Sequence, residues 1–278
     1  MFEEPDAVLS DSTPPSPDTQ GSTAESKNVS LKSTLKQYVP SPILSKIQRA
    51  GLRHDMYRSA GRTHKEIFSE IYERNLWRGE PGTYSSGPGS HEQVNESYIN
   101  LVLSLIEREK VARIVDLGCG DFRVGQRIVG FGASYIGCDV CPRVIERNSR
   151  VFGRSGVEFR AIDIVTDSLP EGDLCVIRQV FQHFSNGSIL AVLQKTLDYR
   201  LVLVTDEQVR ADQASSNVDI LPFHGTRRLY GQGLRLERAP FNQKIDILLE
   251  HSSGSNYGPA TTTYLRTVLI RNQLPERC

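Results

Sequence analysis

The chain has 278 residues, with 33 Lys and Arg against 33 Asp and Glu, and 38% of it is hydrophobic. That length supports one large domain with a sizeable core, or two small ones. Balanced charge argues against a nucleic-acid partner, which needs a basic footprint, and no stretch approaches the roughly 18–20 apolar residues of a membrane span.

The N-terminus reads MFEEPDAV, with acids where a secretory leader needs bases. Residues 1–26 hold six acids, no base, four prolines and eight Ser or Thr, a composition that predicts disorder. Residues 27–54 reverse the sign with Lys27, Lys32, Lys36, Lys46, Arg49 and Arg53 and no acid. Leu31, Leu35, Ile43, Leu44 and Ile47 add apolar anchors there. The expectation is a disordered arm over 1–54, acidic then basic. Its second half reads as a solvated, partly helical stretch or as a weak membrane or protein contact.

A helical cap is expected over 55–110, with helices at 64–76 and 91–109. Between them lies Ser-Ser-Gly-Pro-Gly-Ser at 85–90. Two glycines around a proline make a tight turn, and Ser90 followed by Gln93 reads as a capping box. From residue 111 onward strands and helices alternate. Strands are predicted at 113–117, 134–139, 157–163, 173–179 and 200–207, and helices at 123–130, 142–152 and 186–197. A long polar connection, 208–235, leads to two strands at 244–250 and 264–272 joined by a loop too short for a crossover helix. The fold class is therefore α/β: a Rossmann-like, mostly parallel seven-stranded sheet with an antiparallel last strand and helices on both faces.

The five cysteines (119, 138, 141, 175 and 278) are odd in number and mostly lie in strand-like runs. They read as reduced thiols of a cytoplasmic protein. Cys138 and Cys141 form a C-x-x-C without the second ligand pair that a metal site needs, so no metal is expected.

Chemistry concentrates where the strands end. Val115-Asp116-Leu117-Gly118-Cys119-Gly120-Asp121 is a hydrophobic strand that closes in D-x-G-x-G. Its glycines allow a tight turn and close approach of a ligand to the main chain. A dinucleotide turn would carry a third glycine where Arg123 stands, so that fingerprint fails. Asp116 is also a poor neighbour for a phosphate and a good one for an ammonium group. Asp139 ends the second strand about twenty residues on, placed to accept hydrogen bonds from a ribose diol. Asp163 ends the third and could accept from an adenine amine, with Ile164 offering an N–H and an apolar face. Three acids at one sheet edge, in register with a glycine turn, are hard to explain as helix caps alone.

These motifs resemble those of the class I S-adenosylmethionine-dependent methyltransferases. "VDLGCGD" is similar to the family's glycine-rich first motif, "YIGCDV" to its second-strand acid, and "RAIDIVTDSLPEGDLCVIRQVFQHFSN" to its adenine-contacting and fourth-strand region. The resemblance covers about 110–272. It implies Asp116, Gly118 and Gly120 around the methionine and ribose, Asp139 on the ribose hydroxyls, and Asp163 with Ile164 at the adenine. It also implies S-adenosylmethionine as cofactor and an antiparallel final hairpin. "IYERNLW…SGPGS…DLGCGDF…PFN" further resembles a bacterial branch associated with sugar or glycan modification.

On that resemblance the segment before the first strand folds over the methionine end. Gly87 and Gly89 would then permit close backbone approach, while Ser86 or Ser90 could hydrogen-bond a carboxylate; otherwise Ser90 only caps a helix. His183 is the candidate catalytic base for a hydroxyl acceptor, or else a packing histidine. Arg178 could pair with Asp173 or Glu207, or bind an acidic substrate. His224, Arg227 and Arg228 fall where specificity inserts occur and could read an anionic or polyhydroxylated acceptor. The expected activity is O-methylation of a small or glycan-like acceptor. Alternatives are a protein or nucleic-acid methyltransferase of the same fold, or a non-catalytic cofactor-binding module.

Overall fold

The structure is a computed structural model that describes residues 41–79, 84–90, 95–252 and 263–273. Expectations for residues 1–40, Gln93 and Cys278 lie outside those residues. The chain divides into two units between Gln48 and Arg49. Of the first, residues 41–48 begin helix α1 (Ser41–Tyr57), with Ile43 and Ile47 exposed. The helix lies in the stretch read as partly helical and runs past residue 54, where the arm was expected to end. No glycine or proline interrupts residues 43–50, so helix propensity prevails over the polar composition. In the second unit Met56 closes this helix by packing on Ile220 and Phe223.

Helix α2 (His64–Glu73) starts at a capping box in which Thr63 accepts from the Glu66 N–H and Glu66 accepts from the Thr63 N–H. It buries Ile67, Phe68, Ile71 and Tyr72. Helix α3 (Glu96–Arg108) starts from Asn95, which makes no side-chain capping hydrogen bond, and not from Ser90 as the sequence pattern suggested.

The seven strands are β1 (Arg113–Leu117), β2 (Ser134–Asp139), β3 (Val157–Ala161), β4 (Leu174–Arg178), β5 (Leu201–Val209), β6 (Asp246–Ser252) and β7 (Thr263–Arg271). Helix α4 (Pro142–Phe152) follows β2 and α5 (Asn186–Lys195) follows β4. The sheet order is β3-β2-β1-β4-β5-β7-β6, and β7 runs antiparallel to both neighbours while the other strands share one direction. Order reverses at β1 and β4, the switch point where open α/β sheets leave a crevice.

Period-two alternation divides the core. Val115, Leu117, Val202 and Val204 face α2 and α5, while Ile114, Val176, Leu201 and Leu203 face α3 and α4. The helix expected at 123–130 is only a single 3₁₀ turn, Gly125–Arg127. Phe122 enters it in the left-handed region at φ 65° and Gly130 leaves it at φ 89°, so too few helical residues remain to propagate an α-helix. Among the described residues no helix is long and apolar enough to cross a membrane.

Candidate active site

A cavity of about 220 Å³ opens at the C-terminal ends of β1, β2 and β4. Its wall contains Asp116, Gly118, Gly120, Asp139, Asp163, Ile164, Gly87, Ser90 and His183, and of the three candidates in the long connection it contains His224 and Arg228 but not Arg227. Parallel register explains the convergence, because Asp116 pairs with Gly137 on one side and Val176 on the other, bringing three strand ends level.

The glycine turn is tightly enclosed. Gly118 adopts φ 86° and Gly120 φ 52°, and a side chain on either would strike Val180 or Ser86. Asp139 accepts from the N–H groups of Gly120 at 3.1 Å and Cys141 at 3.0 Å, so its carboxylate is aimed by backbone. Burial pushes its pKa up to about 6 against those hydrogen bonds. Asp116 accepts from the Tyr135 hydroxyl at 2.5 Å. Burial raises its pKa too, to about 6, opposed by Tyr135 and by the charge of Arg178.

Asp163 takes a more constrained position than the sequence implied. It accepts from the Val165 N–H at 3.0 Å and lies 3.6 Å from His64 Nδ1. Burial alone would raise its carboxyl, but His64 and the Val165 N–H outweigh that and hold its pKa below the ordinary value.

The segment 84–90 closes over the glycine turn. Ser86 N–H donates to Asp121 Oδ2 at 3.1 Å, and Asp121 N–H donates to Ser86 Oγ at 2.8 Å. Ser90 Oγ donates to the Gly87 carbonyl at 2.8 Å and reaches Asp121 Oδ2 at 3.3 Å. Gly87 has φ 90° and packs against Trp77. Asp121, Tyr72 and Trp77 were not singled out from sequence as site residues. Asp121 follows Gly120 directly, yet its role depends on a partner 35 residues away. Trp77, the chain's single tryptophan, follows α2 in the cavity wall, 5.6 Å from the His183 ring.

At the far end, His183 lies in the turn Phe181–His183 after β4. Nδ1 faces the Gly225 carbonyl at 2.8 Å, which requires Nδ1–H and leaves Nε2 as the basic nitrogen. Burial pushes its pKa down to about 4, so the ring is neutral. Gln182 accepts from the Glu207 N–H at 3.0 Å, which turns its amide nitrogen toward His183 Nε2 at 3.3 Å. Arg228 pairs with both Glu207 oxygens at 2.8 Å in the same wall.

Two expectations are corrected. Arg178 pairs with neither Asp173 nor Glu207: Asp173 accepts from the N–H groups of Ala112 and Arg113, and Glu207 is engaged by Arg228. Arg227 cannot read an acceptor, because it is 1% exposed and donates to the carbonyls of Val218, Phe181 and Phe184 and to Asn186 Oδ1. The C-x-x-C thiols are buried, and burial pushes Cys138 up to about 12, far from a reactive thiolate.

The strand order with its one reversed strand decides the fold. It is a Rossmann-like α/β fold, a seven-stranded sheet in which β7 alone is reversed. No protein-family model matches the sequence, and the curated proteins give no match. Among solved structures, the chain is similar to human N-acetylserotonin methyltransferase in complex with SAM at 16% identity and a TM-score of 0.49, covering 77% of this chain and 61% of that one. It is similar to the N-methyltransferase NodS from Bradyrhizobium japonicum WM9 bound to S-adenosyl-L-homocysteine, at 16% identity and TM-score 0.49, covering 73% and 97%. It is also similar to magnesium protoporphyrin IX methyltransferase from Synechocystis PCC 6803 with bound SAM, at 13% identity and TM-score 0.48, covering 77% and 99%.

Proposed function

We propose that the protein is a cytoplasmic S-adenosylmethionine-dependent methyltransferase that acts on the hydroxyl of a small or glycan-like acceptor. One observation carries this reading: Asp116, Asp139 and Asp163 line a single cavity around a glycine turn that leaves no room for side chains, with a neutral imidazole at its other end. The residues fit the cofactor by chemistry. Asp139, already fixed by two N–H groups, would hold the ribose hydroxyls. Ile164 and the Phe68 ring give an apolar setting for the adenine, with Asp163 at its edge. The bound cofactor supplies a methyl group activated by a sulfonium centre.

The protein's part in the reaction is alignment, desolvation and one proton transfer. Trp77 and Tyr72 pack edge to face in the cavity wall and give it apolar surface. His183 keeps Nδ1–H on the Gly225 carbonyl, so Nε2 takes the acceptor's hydroxyl proton. For Nε2 to take that proton the Gln182 amide, 3.3 Å away, must first release the single lone pair of that nitrogen. Arg228 and Glu207 lie close enough in the wall to receive a polyhydroxylated acceptor. Titration calorimetry tests the cofactor: S-adenosylhomocysteine should bind and NAD should not. Transfer of label from S-adenosylmethionine into a panel of small alcohols and glycans tests the acceptor, and labelling of protein or nucleic acid alone would refute it.

A further inference from the structure

Gln182 follows Phe181 in the turn after β4 and is buried in the cavity wall beside the proposed base. Three hydrogen bonds fix it. Its backbone N–H donates to Asp206 Oδ1 at 3.2 Å, and its side-chain Oε1 accepts from the Glu207 N–H at 3.0 Å. With the oxygen so held, the amide NH2 points the other way, to His183 Nε2 at 3.3 Å. The Gly225 carbonyl has already placed the ring proton on Nδ1, so the amide donates and Nε2 accepts. The basic nitrogen of His183 is therefore paired with a donor whose other end is anchored to β5. An acceptor atom that reaches Nε2 also comes within reach of the amide, because the two nitrogens are only 3.3 Å apart. It can take the NH2 from the ring while Oε1 stays on the Glu207 N–H.

We infer that Gln182 selects oxygen over nitrogen acceptors: its amide donates to the acceptor atom while His183 Nε2 takes that atom's proton. The inference deepens the proposed activity and rests on His183 as its base. A hydroxyl oxygen has two lone pairs. One forms the bond to the methyl carbon as the carbon–sulfur bond breaks and leaves its electron pair on sulfur. The O–H proton passes to Nε2, so the positive charge moves from sulfonium to imidazolium. The second lone pair keeps the amide satisfied throughout. A neutral amine has one lone pair. Once that pair forms the carbon bond, the amide donor loses its partner in a buried wall. Both acceptors meet the site equally well before reaction, so selection falls on kcat and not on binding.

Matched acceptors test it: benzyl alcohol against benzylamine, and methyl glucoside against its primary-amine analogue, with labelled S-adenosylmethionine and only unprotonated amine counted. Gln182→Leu, which has no donor, should shift the alcohol-to-amine ratio of kcat toward the amine by about 10- to 100-fold, the penalty of one unpaired buried donor. Gln182→Glu, which presents an acceptor in place of the NH2, should shift it at least as far, and it carries the comparison if the leucine variant does not fold. S-adenosylhomocysteine should bind both variants within about twofold of wild type. Nitrogen NMR supplies a readout without turnover. The His183 Nε2 signal, identified by its absence in His183→Ala, should move downfield in Gln182→Leu as the nitrogen loses its donor. An unmoved ratio or an unmoved signal overturns the proposal. Joint loss of S-adenosylhomocysteine binding and activity in both variants also overturns it, because Gln182 then only supports the fold. If wild-type protein labels amines alone, oxygen selection fails while the methyltransferase reading stands. If it labels neither class, that reading fails and the proposal falls with it.

Discussion

Ser86 and Asp121 exchange two hydrogen bonds, each donating its backbone N–H to the other's side chain, at 3.1 and 2.8 Å. The pair fastens the covering segment to the residue that follows the glycine turn. Tyr72 extends the link, its hydroxyl lying 3.3 Å from Ser86 Oγ. Asp121→Ala removes the acceptor for the Ser86 N–H, while Ser90 keeps the Gly87 carbonyl. The expected cost to cofactor binding is roughly 1–2 kcal/mol, or about 5- to 30-fold in dissociation constant. Gly120→Ala should act similarly, because its Cβ would fall 2.1 Å from Ser86 Oγ at a φ of 52°. Calorimetry with S-adenosylhomocysteine checks both, and wild-type affinity in the two variants would reduce the segment to a connection between helices.

The buried acids give a pH signature of defined sign. Asp116 and Asp139 each titrate near 6 in the folded protein, against 3.8 for an ordinary aspartate. A raised folded pKa means the folded state holds protons more firmly than the unfolded one. Stability from this source is full below about pH 3.8 and is lost as pH rises through 6, costing roughly 2–3 kcal/mol per group above that. Asp116→Asn should therefore raise Tm at pH 7.5, and the difference from wild type should vanish near pH 4. Cofactor binding should run the other way, weakening as pH falls below 6 and the carboxylates lose charge. An Asp116→Asn melting curve identical to wild type at pH 7.5 would refute the burial argument.

Much of the sheet was legible because its strands are short apolar runs bounded by turns: strands 113–117 and 134–139 fall where the pattern put them, as does the helix 142–152. The three strand-end acids were legible for the same reason: parallel register fixes where a strand end lies. What depended on long-range pairing was not. Asp121 needs Ser86, Glu207 needs Arg228, and Arg178 needs Gly89 and Asn95, and none of these pairs has a periodicity. The helix expected at 123–130 failed on backbone geometry at Phe122, a residue whose type gives no sign of positive φ.

Arg227 shows how composition misleads. In sequence Arg227 and Arg228 look equivalent, but one is buried beneath the site and the other lines it. Arg227 ties residues 218 and 227 to the carbonyls flanking His183, and burial lowers its pKa to about 10, leaving it charged at neutral pH. Arg227→Met removes the donor from the Val218 and Phe184 carbonyls and Asn186 Oδ1, while the Phe181 carbonyl keeps the Phe184 N–H. The expected loss is roughly 3 kcal/mol or more, a fall in Tm of about 6–12 °C. Thermal denaturation measures it. A variant with unchanged Tm and a selective defect in acceptor KM would restore the substrate-reading role.

His183 separates catalysis from binding. Its Nδ1–H is committed to the Gly225 carbonyl, its Nε2 is basic, and the ring is 8% exposed beside Trp77. If Nε2 takes the acceptor proton, His183→Ala should lower kcat about 10²–10⁴-fold and leave the dissociation constant for S-adenosylhomocysteine within about twofold. The pH profile distinguishes this base from an ordinary histidine. A base with a pKa of about 4 stays deprotonated throughout the physiological range, so kcat at saturating cofactor should be level between pH 6 and 8. An unperturbed imidazole near 6.5 would instead lose about three-quarters of its basic form at pH 6. Saturating cofactor matters, because Asp116 and Asp139 change charge in that same interval and would otherwise impose their own slope. Full activity in His183→Ala, with only a lowered Tm, would leave the imidazole a packing residue held between Trp77 and Gly225.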